Sequence, residues 1–172
     1  VYKRQQEQSG AARYRDGEFE IRLTEPQFVA VAESGKPPVA DMEVSAVIRN
    51  PSAARDAAFG VVCRFVDDDN YYLLGAGRDG FYAIVRWLND ESTVLTGGGQ
   101  WTRSPQVPQD APLYKVTGTC DGERLTLEVN GREIDSVEDD ALSFGESGLF
   151  MQTFQAPAAV VRFDDFSQRA LG

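Results

Sequence analysis

The stretch from Phe59 to Leu88 constrains the fold of this chain more than any other. It contains three runs rich in Val, Phe, Tyr, Leu and Ile, residues that suit pleated, half-buried strands. Two tight turns separate the runs, at residues 67–70 and 78–80, and an Asp-Gly pair between apolar runs is a strong hairpin signal. The stretch therefore predicts three consecutive antiparallel strands.

The same pattern continues on both sides of this stretch. Alternating apolar and polar residues recur in E-F-E-I-R-L, M-E-V-S-A-V-I, Y-K-V-T-G-T-C and R-L-T-L-E-V, and Asn130-Gly131 marks a further hairpin. About eleven short strands, with no amphipathic helix of normal length, predict an all-β, two-sheet antiparallel sandwich. We expect residues 17–172 to form this single domain and residues 1–16 to be a disordered or artefactual lead. The predicted core residues are Val61, Phe65, Leu125, Leu127, Val129 and Phe163.

The composition excludes several functional classes. The formal net charge is −10, which argues against nucleic-acid binding and against docking on an anionic membrane, because both need clustered Lys and Arg. The chain contains no His, which rules out a Ser-His or Cys-His nucleophile pair and a His-ligated metal. No apolar run reaches about 18 residues, so we expect no direct membrane insertion.

The two cysteines offer two interpretations. Cys63 and Cys120 both occupy apolar-facing positions of their predicted strands. Because we expect these strands to be neighbours, the matched orientation favours a Cys63–Cys120 disulfide, which would indicate an oxidising compartment. The alternative is two buried free thiols, since a free cysteine often packs as a small apolar side chain.

A series of motifs spans most of the chain. They are G-V-V-C-R-F-V-D-D-D-N-Y-Y at 60–72, D-G-F-Y-A-I at 79–84, C-D-G-E-R-L-T-L-E-V-N-G at 120–131, G-L-F at 148–150 and F-D-D-F at 163–166. Their order resembles the concanavalin A-like jelly-roll superfamily. It is most similar to bacterial extracytoplasmic modules of the laminin G-like or 3-keto-disaccharide hydrolase-like (DUF1080-type) kind. The resemblance implies a jelly-roll sandwich and says less about function, because one fold hosts many activities.

The resemblance also implies a cellular setting. Such modules lie outside the membrane, attached to a lipoprotein or to the membrane-spanning part of a signalling kinase. The chain begins without an initiator Met or a signal peptide, so we expect a monomeric domain of a longer extracellular or extracytoplasmic protein, anchored through a missing upstream segment. Val1–Gln5 resemble translated sequencing-adapter sequence, as found in metagenomic genes.

The segment E-I-D-S-V-E is a candidate catalytic motif. It is similar to the E-I-D-x-x-E signature of family-16 glycoside hydrolases, in which carboxylates on one strand face act as nucleophile and acid/base. Glu133, Asp135 and Glu138 would have these parts. Against this, Ser136 stands where the signature has an apolar residue, and the turns on either side are short. The alternative is an exposed strand with charge on one face.

Acidic turns are candidate calcium ligands. Asp67, Asp69 and Asp164 belong to clusters of carboxylates, and hard oxygen ligands suit Ca²⁺. Such residues also satisfy local backbone donors in ordinary turns, and no EF-hand spacing is present. The prediction is therefore no cofactor, with a structural Ca²⁺ at one of these clusters as the alternative.

A group of large polar and aromatic side chains is the candidate ligand site. Arg64, Tyr82 and Arg86 are predicted to face outward from the three central strands, and Trp101 lies in a loop. An aromatic plate flanked by guanidinium groups can stack a sugar ring and bind its hydroxyls. We therefore predict a non-catalytic binding module for carbohydrate or a protein partner. The alternatives are a glycoside hydrolase or related sugar-cleaving enzyme, and a spacer domain without a ligand.

Overall fold

The structure is a computed structural model that describes residues 10–156 and 158–172. These residues form fourteen strands and no helix, so none of them belongs to a helix that could cross a membrane. In chain order the strands are β1 (Gly10–Arg15), β2 (Glu18–Leu23), β3 (Val29–Glu33), β4 (Met42–Arg49), β5 (Ala58–Asp67), β6 (Asn70–Gly77), β7 (Phe81–Leu88), β8 (Glu91–Val94), β9 (Thr102–Arg103), β10 (Tyr114–Asp121), β11 (Arg124–Val129), β12 (Arg132–Glu138), β13 (Glu146–Gln152) and β14 (Ala159–Ala170).

The strands form two antiparallel sheets of seven strands each in the described residues. The first sheet has the order β1-β2-β14-β4-β10-β11-β12, and the second has the order β3-β13-β5-β6-β7-β8, with β9 also paired to β7. Chain neighbours such as β5, β6 and β7 pair directly, as their short turns predict, whereas β14 returns from the end of the chain to lie between β2 and β4. The fold is the predicted two-sheet jelly-roll sandwich.

The main core lies between the two sheets. Alternate residues of β4, β10 and β11 point into it, and their polar neighbours face solvent, which is the pattern of a sheet with one covered face. Five of the six predicted core residues are buried here, and the sixth, Phe65, is buried elsewhere. The five are Val61, Leu125, Leu127, Val129 and Phe163.

Phe65 lies on the outer face of the second sheet because β5 contains a bulge. The register between β5 and β6 shifts after Cys63, and Arg64 has a left-handed backbone with a φ of 52°. An extra residue in one strand inverts the alternation beyond it. Strict alternation from Val61 to Phe65 therefore gives the wrong face for Phe65, which stacks on Tyr71 with ring centroids 5.7 Å apart.

The outer face of the second sheet carries a separate apolar cluster. Leu73, Val85, Trp87 and Phe150 are buried in it together with Phe65 and Tyr71. The Phe150 ring lies over two glycines, because a Cβ placed on Gly60 or Gly75 would come within 2.8 Å of it. Val85 and Trp87 of β7 therefore face outward, whereas Tyr82 and Ile84 face the main core, the reverse of the outward position predicted for Tyr82. The remaining buried members of this outer cluster are Val29, Val31, Ala58, Val62 and Ala83.

The two cysteines meet across the main core as free thiols. Cys63 belongs to β5 of the second sheet and Cys120 to β10 of the first, so their strands face each other and are not hydrogen-bonded neighbours. The predicted disulfide is absent, and the two thiols are within hydrogen-bonding reach of each other. Burial and the neighbouring Cys63 raise the pKa of the Cys120 thiol well above its usual value. The thiol is therefore neutral and packs as an apolar group.

The start of the folded region differs from the prediction. Gly10–Arg15 form strand β1, which pairs with β2 along its whole length through the Asp16-Gly17 turn. The expected unstructured lead up to residue 16 is therefore wrong for these residues. Residues 1–9, including the adapter-like Val1–Gln5, lie outside the described part of the chain.

Candidate functional site

A cleft of about 210 Å³ opens at one edge of the sandwich. It lies where β1, β2 and β14 of the first sheet face β3 and β13 of the second. Leu149 and Phe163 contribute apolar surface, and both belong to the main core. We call this region the open edge. Its aromatic residues are Tyr14, Phe19, Phe163 and Phe166, and its carboxylates are Glu33, Asp164 and Asp165.

The β1–β2 hairpin forms one wall of the open edge. Its turn, Asp16-Gly17, has φ values of 51° and 82°, as residues that reverse a hairpin tightly require. Tyr14 and Phe19 are opposite each other across the hairpin, and their rings meet edge to face with centroids 5.2 Å apart. Tyr14 is 82% exposed, so most of its ring is available to a ligand.

A bulge in β14 shapes the second wall. The register between β14 and β4 shifts between Asp164 and Ser167, and Asp165 has a φ of 50°. The Asp165 amide donates a hydrogen bond to Asp164 Oδ1 at 2.8 Å. Bulges commonly redirect side chains beside binding sites. Here the bulge puts both aspartates and Phe166 on the lining of the cleft.

The lining has the chemistry of a small polar ligand site. An exposed ring offers a flat apolar face, and carboxylate oxygens accept hydrogen bonds from hydroxyl groups. In the part of the chain that the structure describes, no Lys or Arg lines the cleft, so a ligand there meets acceptors and negative charge. The volume is that of about seven liquid waters, or one sugar ring. Sugar rings combine apolar faces with hydroxyl edges and match both features.

Two of the four predicted ligand residues, Tyr82 and Arg86, are at the opposite edge, where β12 faces β7, and a third, Arg64, lies near the end of β5 in the middle of the second sheet. Arg64 is buried, and its guanidinium donates to Ala40 O at 2.7 Å, Leu142 O at 3.0 Å and Asp41 Oδ1 at 3.0 Å. The bulge turns this side chain inward from the predicted outer face. Arg64 is therefore a buried structural residue that holds two loops together.

Tyr82 and Arg86 also face the interior. Tyr82 donates to Asp135 Oδ2 at 2.8 Å, and burial and this carboxylate raise its pKa to about 12. Arg86 donates to Asp139 Oδ1 at 2.5 Å, and the same carboxylate accepts a 2.6 Å bond from the buried Tyr72 hydroxyl. These bonds join the two sheets. We call the group formed by Arg64, Tyr72, Tyr82, Arg86, Asp135, Asp139 and Leu142 the closed edge.

Trp101 is separate from the other three. It packs edge to face on Phe154 with ring centroids 5.4 Å apart and covers part of the apolar outer face of the second sheet. The structure therefore does not bring the four predicted ligand residues together. The prediction that Tyr82 and Arg86 face outward is wrong because β7 carries apolar residues on both faces. Alternation alone therefore does not identify the inner side of this strand.

The candidate catalytic carboxylates do not converge. Asp135 pairs with Leu127 and points inward to Tyr82, whereas Glu133 pairs with Glu128 and Glu138 with Arg124 on the solvent side. A retaining glycosidase needs two carboxyl groups about 5 Å apart over one sugar bond. The register between β11 and β12 shifts beside Leu127, and Asp135 faces inward while Glu133 and Glu138 face solvent.

The candidate calcium ligands serve local structure. Asp67 Oδ1 accepts bonds from the Asp69 amide and the Asn70 side chain, which is ordinary turn chemistry. Asp164 lies in the open-edge cleft. In residues 10–156 and 158–172, no group of three or more acidic, Cys or His side chains is arranged to hold a metal ion.

The open edge was hard to predict from the sequence. Its residues come from β1, β2, β3, β13 and β14, which are far apart along the chain and meet only through the sheet order. One usable signal was the F-D-D-F motif, in which two adjacent aspartates interrupt the alternation of a strand. The other was the Asp16-Gly17 pair, a hairpin turn inside the segment assigned to the lead.

Comparison with known proteins supports the fold. Neither models of protein families nor curated protein sequences match this chain. Among solved structures, the carbohydrate-binding module CBM66 from Bacillus subtilis is similar with a TM-score of 0.76 and 15% identity, over 94% of this chain and 92% of that chain. A Bacillus subtilis protein of unknown function with a galectin-like fold has a TM-score of 0.58 and 13% identity, over 94% and 86% of the two chains.

A third similar structure is part of a larger protein. The GH43 BlXynB protein from Bacillus licheniformis has a TM-score of 0.62 and 14% identity, over 95% of this chain and 35% of that chain. At such identities the likeness shows the fold, a sandwich of the concanavalin A-like type. The finer resemblance to laminin G-like or 3-keto-disaccharide hydrolase-like domains stays a prediction.

Proposed function

We propose that this chain is a non-catalytic carbohydrate-binding module whose site is the open-edge cleft. One observation carries the proposal: exposed aromatic surface and three carboxylates line a single cleft of about 210 Å³. The exposed ring of Tyr14 stacks on a sugar face, and Asp164 and Asp165 accept bonds from its hydroxyls. The similarity in fold to a carbohydrate-binding module supports the same function.

The site favours a neutral sugar unit over an anionic one. The carboxylates of Asp164 and Asp165 repel a uronate or sulfate at short range, and the described residues of the lining include no Lys or Arg to offset them. The room for about one ring favours a single residue of a glycan, with the rest of the polymer outside the cleft. In the cell, we infer that the chain acts as an extracellular or extracytoplasmic part of a longer, membrane-anchored or secreted protein.

Hydrolysis has less support than binding. Asp135 is committed to a hydrogen bond with Tyr82, and Glu133 and Glu138 are exposed on the other side of β12. A retaining glycosidase needs two carboxyl groups held over one sugar bond, and these two face solvent on the side of β12 away from Asp135.

Calorimetric titration with a panel of neutral monosaccharides and short oligosaccharides tests the proposal. Tyr14→Ala removes the exposed ring, and Asp165→Asn removes a charge while keeping a residue that tolerates the left-handed backbone. We expect each variant to weaken binding at least about tenfold, or about 1.4 kcal/mol.

Phe144→Ala is the matched control, because Phe144 is an exposed aromatic residue, 54% accessible, that does not line the cleft. Its affinity for the sugar should equal that of the unaltered protein. Absence of binding to every sugar in the panel, or an equal loss in the control, would refute the proposed site.

A further inference from the structure

A cluster of arginines occupies the outer face of the first sheet, on the side of the β1–β2 hairpin that faces away from the cleft. Arg13, Arg22, Arg162 and Arg49 come from β1, β2, β14 and β4, four successive strands of the sheet. Cross-strand pairing places Arg162 beside both Glu20 and Arg49, and Arg13 beside Glu20. Sequence order conceals this cluster, since its members lie at both ends of the chain. We call these four residues the arginine cluster.

The cluster holds more positive charge than its carboxylates neutralise. Glu20, 1% exposed, accepts a 3.0 Å bond from Arg162, and Glu18 accepts bonds of 2.7 and 3.0 Å from Arg49. Among residues 10–156 and 158–172, these four arginines and two glutamates leave a local charge of +2, in a chain whose net charge is −10. The nearby Arg15 and Asp16 form an ion pair at 3.7 Å, and their opposite charges leave the local charge unchanged.

Arg13 and Arg22 keep most of their donors toward solvent. Their side chains are 55% and 45% exposed, and both reach the same oxygen of Glu20 at a long 3.4 Å. A guanidinium has five N–H donors in a planar fork that matches carboxylate and sulfate groups. Arg162 binds Oε2 of Glu20 at 3.0 Å, so Arg13 and Arg22 share its Oε1, and each uses only part of its guanidinium for this contact.

We propose that the arginine cluster binds the carboxylate or sulfate groups of an acidic polysaccharide. The surface next to the cluster supports a glycan, because hydroxyl-bearing residues continue along the same outer face. Ser45 and Ser167 pair across β4 and β14, and Thr117 and Thr119 follow on β10. Such hydroxyls exchange hydrogen bonds with sugar hydroxyls, while the arginines bind the charged substituents. The site is independent of the proposed cleft.

The balance of charges argues against nucleic acid and anionic membrane as the ligand. Both present dense negative charge over a wide area, and the net charge of −10 repels them beyond the patch. Salt limits the attraction of the cluster to about 8–10 Å. A glycan with separated charged substituents meets the cluster without bringing much negative charge near the rest of the surface.

Three polymers with one backbone test the proposal: dextran, carboxymethyl-dextran and dextran sulfate, with binding measured by affinity electrophoresis. We expect retardation by the two charged polymers beyond any effect of dextran, and its loss as salt rises from about 0.05 M to about 0.5 M. Equal retardation by all three polymers would overturn the proposal, as would stronger binding to a DNA duplex or to anionic vesicles.

The double variant Arg13→Gln/Arg22→Gln locates the site. It should weaken binding to the charged polymers at least about tenfold. Arg124→Gln/Arg132→Gln is the control, because it removes the same charge from exposed residues at the β11–β12 end of the first sheet. Equal losses in the two double variants would refute a local site. Folding of the first variant is checked by thermal unfolding, because Glu20 keeps the Arg162 bond to its Oε2 but loses both arginines from its Oε1.

The two binding sites fail or succeed separately. In Tyr14→Ala, the extra retardation by carboxymethyl-dextran over that by dextran should equal that of the unaltered protein. The Arg13→Gln/Arg22→Gln variant should keep the affinity of the unaltered protein for neutral sugars. A loss of charged-polymer binding in Tyr14→Ala would assign the charged ligand to the cleft and overturn the separate site.

Discussion

The two edges of the sandwich use the same types of side chain with different outcomes. At the closed edge, the hydroxyls of Tyr72 and Tyr82 reach across to carboxylates of the opposite side, and the sheets are joined. At the open edge, Tyr14 points out of the sandwich, and Asp164 and Asp165 line a cleft. Residue type therefore does not mark a binding site. A polar side chain at an edge is available to a ligand only where no hydrogen-bonding partner from the other sheet lies within reach.

The closed edge is a continuous chain of hydrogen bonds. Arg64 binds the carbonyl of Leu142, the amide of Leu142 donates to the Tyr72 hydroxyl at 3.1 Å, and that hydroxyl donates to Asp139. Arg86 binds the second oxygen of Asp139. Polar groups removed from water are costly to leave unpaired, so each member depends on the others. We therefore expect this edge to control stability and the open edge to control binding.

Arg64→Met should have the largest effect. The substitution keeps an unbranched apolar side chain but leaves the carbonyls of Ala40 and Leu142 without this donor, while Asp41 keeps only the Gly122 amide. Each unpaired buried acceptor costs about 1–3 kcal/mol, so the two carbonyls together lose about 2–6 kcal/mol. Urea unfolding measures the loss against the control Arg124→Met, whose side chain is exposed. A loss below that of the control would contradict the structural role, and loss of sugar affinity in folded protein would return Arg64 to the ligand site.

Tyr72→Phe should have the next largest effect. It removes a hydroxyl that both donates to Asp139 and accepts from Leu142, so two partners lose a bond. We expect a loss of about 1.5–3 kcal/mol in the free energy of unfolding, as for bonds to charged groups. Tyr82→Phe should cost less, because Asp135 is only half-buried. Weaker sugar binding by either folded variant, with unchanged stability, would exchange the roles of the two edges.

The fold was predictable because its signals are local. Asp-Gly and Asn-Gly turns fix hairpins, and the alternation in β4, β10 and β11 identifies their inner faces, so Leu125, Leu127 and Val129 are where the pattern puts them. The bulge at Arg64 has no comparable signal, since a positive φ at Arg is unusual. One inserted residue was enough to misplace both Phe65 and Arg64.

The candidate site was less predictable because it depends on sheet order. The return of β14 between β2 and β4 brings Asp165 and Phe166 to the β1–β2 hairpin, and no local pattern states where a last strand inserts. Likewise, Cys63 and Cys120 have the predicted inward orientation, but their strands belong to different sheets. The apolar positions of the two cysteines on their strands show that both side chains point inward. They do not show which strand each side chain faces.

Cys63→Ala should have a smaller effect than the closed-edge variants. The two thiols contact each other between the edges, inside the main core, and the variant removes one buried sulfur atom from the packing. We expect a loss of about 1 kcal/mol, the value of one small buried group. Titration of the unfolded, unreduced parent should find two thiols. Zero thiols, with a loss of several kcal/mol in the variant, would instead support the disulfide that the sequence favours.

Acid should weaken the hairpin that walls the open edge. The hydrogen bond and charge of Arg49 lower the pKa of Glu18. Burial alone would raise the pKa of Glu20, but the hydrogen bond from Arg162 and the charges of Arg22, Arg13 and Arg162 outweigh burial, so the pKa of Glu20 is also lowered. A lowered carboxyl pKa means that the unfolded chain binds protons first, so this stability is present above the ordinary glutamate pKa and is lost as pH falls through the folded value.

The acid effect should be modest, about 1 kcal/mol for each ion pair, because the arginine partners are partly exposed. Hydrogen exchange of β1 and β2 amides, followed downward from neutral pH, measures it. Glu20→Gln should flatten part of the dependence. Faster exchange at the closed edge before the hairpin, or an unchanged profile in Glu20→Gln, would contradict the assignment.

Tyr14→Ala should have the smallest effect on stability and so gives the sharpest contrast between the edges. The ring is 82% exposed and contacts Phe19 only edge to face, so folding removes little of it from water. Exposed substitutions of this kind change the free energy of unfolding by less than about 0.5 kcal/mol. The same change removes the most accessible aromatic face of the cleft. Urea unfolding and sugar titration of one preparation should therefore show unchanged stability and lost affinity for Tyr14→Ala. The same two measurements on Tyr72→Phe should show lost stability and unchanged affinity. A Tyr14→Ala protein that loses stability as Tyr72→Phe does would show that the β1–β2 hairpin is held by this ring, and the distinction between an open and a closed edge would fail.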